Sequence, residues 1–251
     1  MNEPLISIII PCHNEAATIG GLLDDLRAQT DLPYGSFEVI VVDSASTDGT
    51  GDAVRTHGDG LPLQVVRVDE PGASLARNRG AAVARGYFFM FCDADVRLPR
   101  LFIEAARKEM GRRDLTVAGF KQRILSSSLS MRAGGRLMNG YALAMSITPW
   151  PIFFSCYIVQ RDLFRAIGGI DESLYLMEDY DVALRAKRAG GSFGIITGTY
   201  FLSSPRRYEG QDGLQQLKRG FYGEFYRYTH GLRVDKPIYE YKMGGEDKPK
   251  K

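Results

Sequence analysis

The chain has 251 residues, of which 44% are hydrophobic and 25% charged, with a formal net charge of +2. That length can bury a substantial core without covalent staples, and the near balance of charge supplies no global field of the kind that draws a protein to nucleic acid. The three cysteines, Cys12, Cys92 and Cys156, have no Cys-x-x-Cys or Cys/His ligand spacing, which argues against a disulfide framework or structural zinc and suits reduced, buried thiols in a cytosolic protein.

Met1-Asn2-Glu3-Pro4 carries no basic region and no long apolar run follows, so no signal peptide is expected. Residues 5–10 are a Leu and Ile run broken only by Ser7 and closed by Pro11, the pattern of a strand buried on both faces in a parallel sheet. After the polar turn Cys12-His13-Asn14-Glu15, Ile19, Leu22, Leu23 and Leu26 recur at one-turn spacing and predict an amphipathic helix. A second strand over 37–42 ends in Asp43, and Ser44-Ala45-Ser46-Thr47-Asp48-Gly49-Thr50 supplies turn and capping chemistry for a helix reaching about Thr56. The third unit pairs a strand over 63–68 with a helix over 74–85, with Gly86 as its stop. A fourth strand over 87–91 follows. Strands alternating with helices predict a mostly parallel sheet with helices on both faces.

The fourth strand, Phe88-Phe89-Met90-Phe91, runs into Cys92-Asp93-Ala94-Asp95. Ligands of open α/β sheets collect at the carboxyl ends of the strands, and two carboxylates there form a hard-oxygen site suited to Mg²⁺ or Mn²⁺ holding phosphates. Pro99 suits the first turn of a helix burying Leu101, Phe102, Ala105 and Met110, and a strand follows over 116–120. Between 126 and 151, serines and glycines alternate with Met, Leu and Tyr, which reads as a mobile helical segment. Pro149, Pro151 and several polar residues interrupt the apolar stretch 142–159, which argues against a spanning helix and leaves peripheral membrane contact open. Later elements are a strand over 156–159, a short helix over 162–166, the turn Gly168-Gly169-Ile170-Asp171-Glu172, and a helix over 182–189 with an acidic start at Met177-Glu178-Asp179-Tyr180-Asp181. Two late strands, 193–196 and 200–202, precede an amphipathic helix marked by Leu214, Leu217, Phe221, Phe225 and Tyr228. Residues 244–251 are too polar to pack and are expected to be disordered. No linker divides the chain, so one domain over 1–243 is expected, with a nucleotide-sugar half over 1–97 and an acceptor half over 98–243.

Ile8-Ile9-Ile10-Pro11-Cys12-His13-Asn14-Glu15, Val41-Val42-Asp43, Ala76-Arg77-Asn78-Arg79-Gly80, Cys92-Asp93-Ala94-Asp95, Gly168-Gly169-Ile170-Asp171-Glu172 and Glu178-Asp179 together resemble, in order, the motifs of family 2 glycosyltransferases with a GT-A fold. The resemblance implies an inverting enzyme of the hexosyltransferase class. Its donor would be a nucleotide sugar, UDP-sugar favoured, its acceptor a glycan or lipid-linked hydroxyl, and its cofactor Mn²⁺ or Mg²⁺. It gives Pro11, Glu15, Asp43, Arg77 and Asp93 to the nucleotide, Asp95 with Asp93 to the metal, and the general base to Asp179, with Glu178 and Asp181 as neighbours that could be confused with it. Several relatives present a His near the late strands where this chain has Arg206 and Arg207, which can clamp a diphosphate but cannot ligate a metal. Trp150, Tyr141 and Phe153-Phe154 fall on the implied acceptor side, where stacking on a sugar, lipid contact and plain packing all remain open.

Two other readings share these residues. A non-catalytic nucleotide-sugar binding module would keep Asp43 and Asp95 and dispense with a base. A sugar-1-phosphate nucleotidyltransferase needs a basic, Gly-rich loop after the first strand, which Pro11-Cys12-His13-Asn14-Glu15 is not. The location expected is cytoplasmic, with the inner membrane face left open.

Overall fold

A computed structural model describes residues 5–29, 36–174 and 176–204. Arg206, Arg207, the helix expected from about Gly213 and the polar tail lie outside the described residues. The first half alternates as expected: β1 (Ile6–Cys12), α1 (Ile19–Arg27), β2 (Phe37–Ser44), α2 (Thr50–Gly58), β3 (Leu63–Val68), α3 (Ala73–Val83) and β4 (Phe88–Cys92). Then come β5 (Val96–Arg97), α4 (Phe102–Arg112), β6 (Val117–Ile124), α5 (Leu129–Ser146), β7 (Cys156–Gln160), α6 (Arg161–Ala166), α7 (Glu178–Arg188) and β8 (Phe193–Ser203). Eight strands form one mixed sheet in the order β3-β2-β1-β4-β7-β6-β8-β5. The first four and the β6–β8 pair run parallel, whereas β7 is antiparallel to both neighbours and β5 to β8.

Period-2 alternation divides each central strand between two cores. Ile8 and Ile10 join Leu22, Leu23, Leu26, Phe102 and Phe120 on one side, while Ile9, Phe89 and Phe91 join Ala76, Phe164 and Val182 on the other. Helices therefore cover both faces. No helix among the described residues is long and apolar enough to cross a membrane.

Several local expectations need correction. β1 runs through Pro11 to Cys12 because β2 continues alongside it, whereas β4 pairing stops at Ile9, where a residue without N–H is tolerated. α3 stops at Val83 on an extended Ala84. Gly86 is required for a different reason: a Cβ there would lie 2.5 Å from the Ser7 backbone nitrogen. Leu101 precedes α4 and is half exposed, leaving Ile103 to fill the core. The two late strands are one, β8, kept continuous by a register shift opposite Phe120 and Lys121. The segment after Ser126 holds an 18-residue helix, whose close approach to β6 is allowed by Gly135, where a Cβ would press within 3.3 Å of Ile124.

Candidate active site

The loops after β1 and β2 are lashed to each other by side chains. Asn14, with left-handed backbone, accepts from the Thr47 N–H at 2.9 Å while its own N–H reaches Ser46 Oγ at 3.0 Å. The Glu15 N–H donates to Thr50 Oγ1, the Ala16 N–H to Asp48, and His13 Nδ1 lies 2.6 Å from the Ser44 carbonyl oxygen. His13 thus braces the loop. Asp43 pairs across the sheet with Cys12, is buried, and accepts the Ser46 N–H at 3.1 Å. Burial, then Glu15, Asp43, Asp93 and Asp48 in that order, push the Cys12 thiol well up, so these carboxylates converge around the end of β1. Asp43 also lines a cleft of about 220 Å³ shared with Thr47, Thr50, Arg55 and Arg67. Glu15 faces inward, its carboxylate accepting from Thr18 Oγ1 and its carbonyl from Ile19 at the start of α1.

Arg77 on α3 joins the two halves. Its guanidinium, 7% exposed, donates to Asp93 at 2.8 Å and to Glu178 at 2.7 Å. Burial opposes the Arg77 charge, but Asp93 and Glu178 more than offset it and hold the pKa above its ordinary value. The carboxylate after β4 and the first residue of α7 are thereby fixed on one cation.

The three acids of the first turn of α7 then separate. Glu178 is held by Arg77, and Asp181 by Arg185 Nε at 2.7 Å. Asp179 accepts only the Tyr180 N–H among the described residues. Burial first, then the Glu178 charge, raise the Asp179 pKa to about 7, with Arg77 pulling the other way. A carboxylate at that pKa holds and releases a proton near neutrality.

Asp95 follows Asp93 by two residues at the turn into β5. No group of three or more His, Cys, Asp or Glu converges as a metal cluster among the described residues. Two carboxylates, one of them engaged by Arg77, do not suit a closed zinc-type site. They do fit Mg²⁺ or Mn²⁺, which take one or two protein carboxylates and complete their shell with phosphate oxygens and water.

Two residues have roles that the sequence does not announce. Tyr157 on β7 is fully buried, its ring stacked on Phe153 at 4.7 Å, and its hydroxyl finds no hydrogen-bond partner among the described residues. Burial pushes its phenol up, and Arg77, Asp179, Glu178 and Asp93 all act on it electrostatically. The signal available is a lone hydroxyl in an apolar strand, opposite Phe91. Asn78 is structural. Its side chain exchanges two bonds with the Ile170 backbone and donates to Glu172, pinning the Gly168–Glu172 turn. Phe153 is core and makes no open acceptor contact, whereas Trp150 and Tyr141 are partly buried.

Residues 7–163 match the model of glycosyl transferase family 2. A PGL/p-HBAD biosynthesis glycosyltransferase of Mycobacterium tuberculosis is 29% identical over 192 residues, 74% of this chain and 70% of that protein. Validoxylamine A glucosyltransferase of Streptomyces hygroscopicus is 39% identical over 95 residues, but the match spans 37% of this chain and only 21% of that protein. A mannosyltransferase from Pyrobaculum calidifontis, in complex with GDP-Man and Mn²⁺, superposes with a TM-score of 0.69 at 27% identity, covering 81% of this chain and 57% of that one. S. aureus TarS, in complex with UDP-GlcNAc, shares the fold at a TM-score of 0.66 and 23% identity over 79% of this chain and 58% of that one. The ordered motifs, the mixed sheet and the family match across most of its length agree: this chain belongs to glycosyl transferase family 2 and has a GT-A fold.

Proposed function

We propose that the chain is an inverting transferase moving a hexosyl residue from a nucleoside-diphosphate sugar, UDP-sugar favoured, to a hydroxyl of a glycan or lipid-linked acceptor. The observation that carries this is Arg77, one buried guanidinium that grips Asp93 on the strand-end side and Glu178, the neighbour of Asp179, on the other. The P. calidifontis neighbour's complex with GDP-Man and Mn²⁺ supports a nucleotide-sugar donor and a divalent ion.

In this reading Asp43 accepts a hydrogen bond from the base or ribose, and Pro11 and Glu15 line the nucleoside side. Asp95, with Asp93, would hold Mn²⁺ or Mg²⁺, which neutralises charge developing on the departing diphosphate. Arg77 holds Asp93 in place through their ion pair. Arg206 and Arg207 are candidates to clamp the diphosphate, and Trp150 to meet the acceptor. Asp179 takes the proton of the attacking hydroxyl, because Glu178 and Asp181 are engaged by arginines while the Asp179 pKa is raised to about 7. Attack opposite the leaving diphosphate inverts the anomeric carbon.

Asp179→Asn tests the base: transfer is lost while donor binding survives, and wild-type transfer by this variant overturns the assignment. Thermal shift with UDP- and GDP-sugars, with and without Mn²⁺, tests the donor, since a ligand of the native state raises its stability by mass action. Absence of any metal-dependent shift counts against the whole reading.

A further inference from the structure

The outer face of α5 has no role in the site just described, yet four of the nine exposed large hydrophobics among the described residues lie on it or at its end. Leu129, Leu143 and Ile147 stand 78%, 50% and 89% exposed, and Leu137 is 59% exposed on the flank of the same face. Leu129 and Ile147 lie five turns apart on a 3.6-residue helix, so the stripe runs about 27 Å along one side. Arg132 and Arg136 fall within it, both exposed and neither in an ion pair with a described residue. Single exposed leucines are ordinary, whereas four exposed aliphatics gathered on one helix mark an interaction surface.

Charge identifies the partner. No Asp or Glu occurs between Asp114 and Asp162, an interval that holds Lys121, Arg123, Arg132, Arg136 and Arg161. The strands on which α5 packs, β6 and β8, are also free of acids. An aliphatic row interleaved with arginines that pair with no described residue, on two strands free of carboxylates, matches the interface of an anionic bilayer, where leucines enter the acyl boundary and arginines meet phosphate headgroups. We infer that α5 docks this protein on an anionic membrane surface through Leu129, Arg132, Arg136, Leu137, Leu143 and Ile147.

The inner face of α5 ties that surface to the candidate site. Tyr141 and Met145 share a small apolar cluster with Tyr180, which adjoins Asp179, and Lys187 of α7 donates to the Ser146 and Thr148 carbonyls at the end of α5. A bilayer beneath α5 would therefore lie beside the acceptor side, a consequence that rests on the function proposed above. The docking itself does not.

The test is co-sedimentation of the full chain with phosphatidylcholine vesicles, alone or with about a third phosphatidylglycerol, at low and high salt. Binding to the anionic vesicles is expected, weakened by salt and small on phosphatidylcholine alone. Arg132→Glu/Arg136→Glu should lower partitioning at least tenfold, since each basic group near an anionic surface is worth roughly a fivefold change, and Leu137→Glu/Ile147→Glu should lower it similarly. Failure to bind anionic vesicles, or binding indifferent to both variants, overturns the inference. So does light scattering that finds a dimer dissolved by Leu137→Glu/Ile147→Glu, which assigns the face to a second copy. A fall of several degrees in the Tm of that variant assigns it to the chain's own residues. Donor binding, read separately by thermal shift, should be unchanged in both variants, so failure of the docking and failure of the transferase reading are distinguishable.

Discussion

The β1 to β4 region and the region around α5 are stabilised in different ways. Around β1 to β4 the core is thick on both faces, and the strand-end loops are cross-linked by Asn14, Asp48, Thr50 and Ser46. β6 and β8 share those two cores through Val117, Ala118, Phe120, Ile196 and Phe201, but α5 rests on a third, smaller cluster of Ala142, Ile152 and Ile195 with partly buried neighbours and leaves its aliphatics outside. A rigid half suits a ligand whose shape is constant, such as a nucleotide. A lightly packed helix that faces outward, as α5 does, suits partners that vary, and low local stability concentrates where few apolar contacts are buried. The seam between them is Arg77 with its two carboxylates.

The largest effect expected is at that seam. Asp179→Asn should reduce transfer about 10²- to 10⁴-fold, the usual contribution of a positioned base, and the wild-type rate should rise with pH through about 7 in the free enzyme. Stability should move the other way. The folded pKa of Asp179, about 7, exceeds that of an unfolded aspartate, so the folded state binds the extra proton between about pH 4 and 7 and the unliganded protein loses stability as pH rises through that window. Asn cannot titrate, so the variant should match the wild type near pH 4 and melt higher above pH 7. Melting curves that stay parallel across the range would refute the raised pKa.

Arg77→Met should cost about 3 to 5 kcal/mol, because it leaves Asp93 and Glu178 without their shared cation in a buried site. Urea unfolding measures this, and a loss below about 1 kcal/mol would mean that the pair is solvated and the seam is not a structural joint.

Most of the rigid half is legible in the sequence, because period-2 and period-3.6 patterns report burial directly. The apolar pattern places β3 at its observed bounds, and it places Asp43 and Asp93 at strand ends, where they lie. The seam is only half legible. Arg77, Asp93 and Glu178 each stand in a recognisable motif, but their convergence joins residues up to 101 apart, and no local pattern encodes such a contact. Tyr157 is hidden because a hydroxyl in an apolar strand looks like packing. The two-residue β5 has no periodicity to detect, and β8 reads as two strands because Thr197, Gly198 and Thr199 interrupt its apolar run at the register shift. Those interruptions have a partner that local sequence could not supply: Glu109 of α4 accepts the Thr197 and Gly198 N–H groups.

In the rigid half, Gly86→Ala should destabilise by about 1 to 3 kcal/mol, the usual cost of forcing volume into a packed site. The added Cβ meets the backbone of Ser7, at 2.5 Å from its nitrogen, and backbone cannot rotate away as a side chain can. The Ser7 hydroxyl, which accepts the Gly86 N–H and donates to Glu38, would be disturbed as well. A neutral result in urea would mean that the start of β1 yields more readily than its burial suggests.

The smallest expected effect falls in the other half and tests the contrast directly. Ser128 caps α5, its hydroxyl accepting the Met131 N–H at 3.5 Å, a long bond. Ser128→Ala should cost about 0.5 kcal/mol, the low end of the range for N-caps. A globally cooperative molecule would show that cost as an equal loss of protection in every slowly exchanging amide. A lightly packed α5 opens by itself, so hydrogen exchange in its first turns should quicken about twofold while amides of β1 and β4 keep their wild-type rates. Equal quickening in both halves would show that α5 unfolds only with the sheet, and the division of the molecule into a rigid and a yielding half would fall.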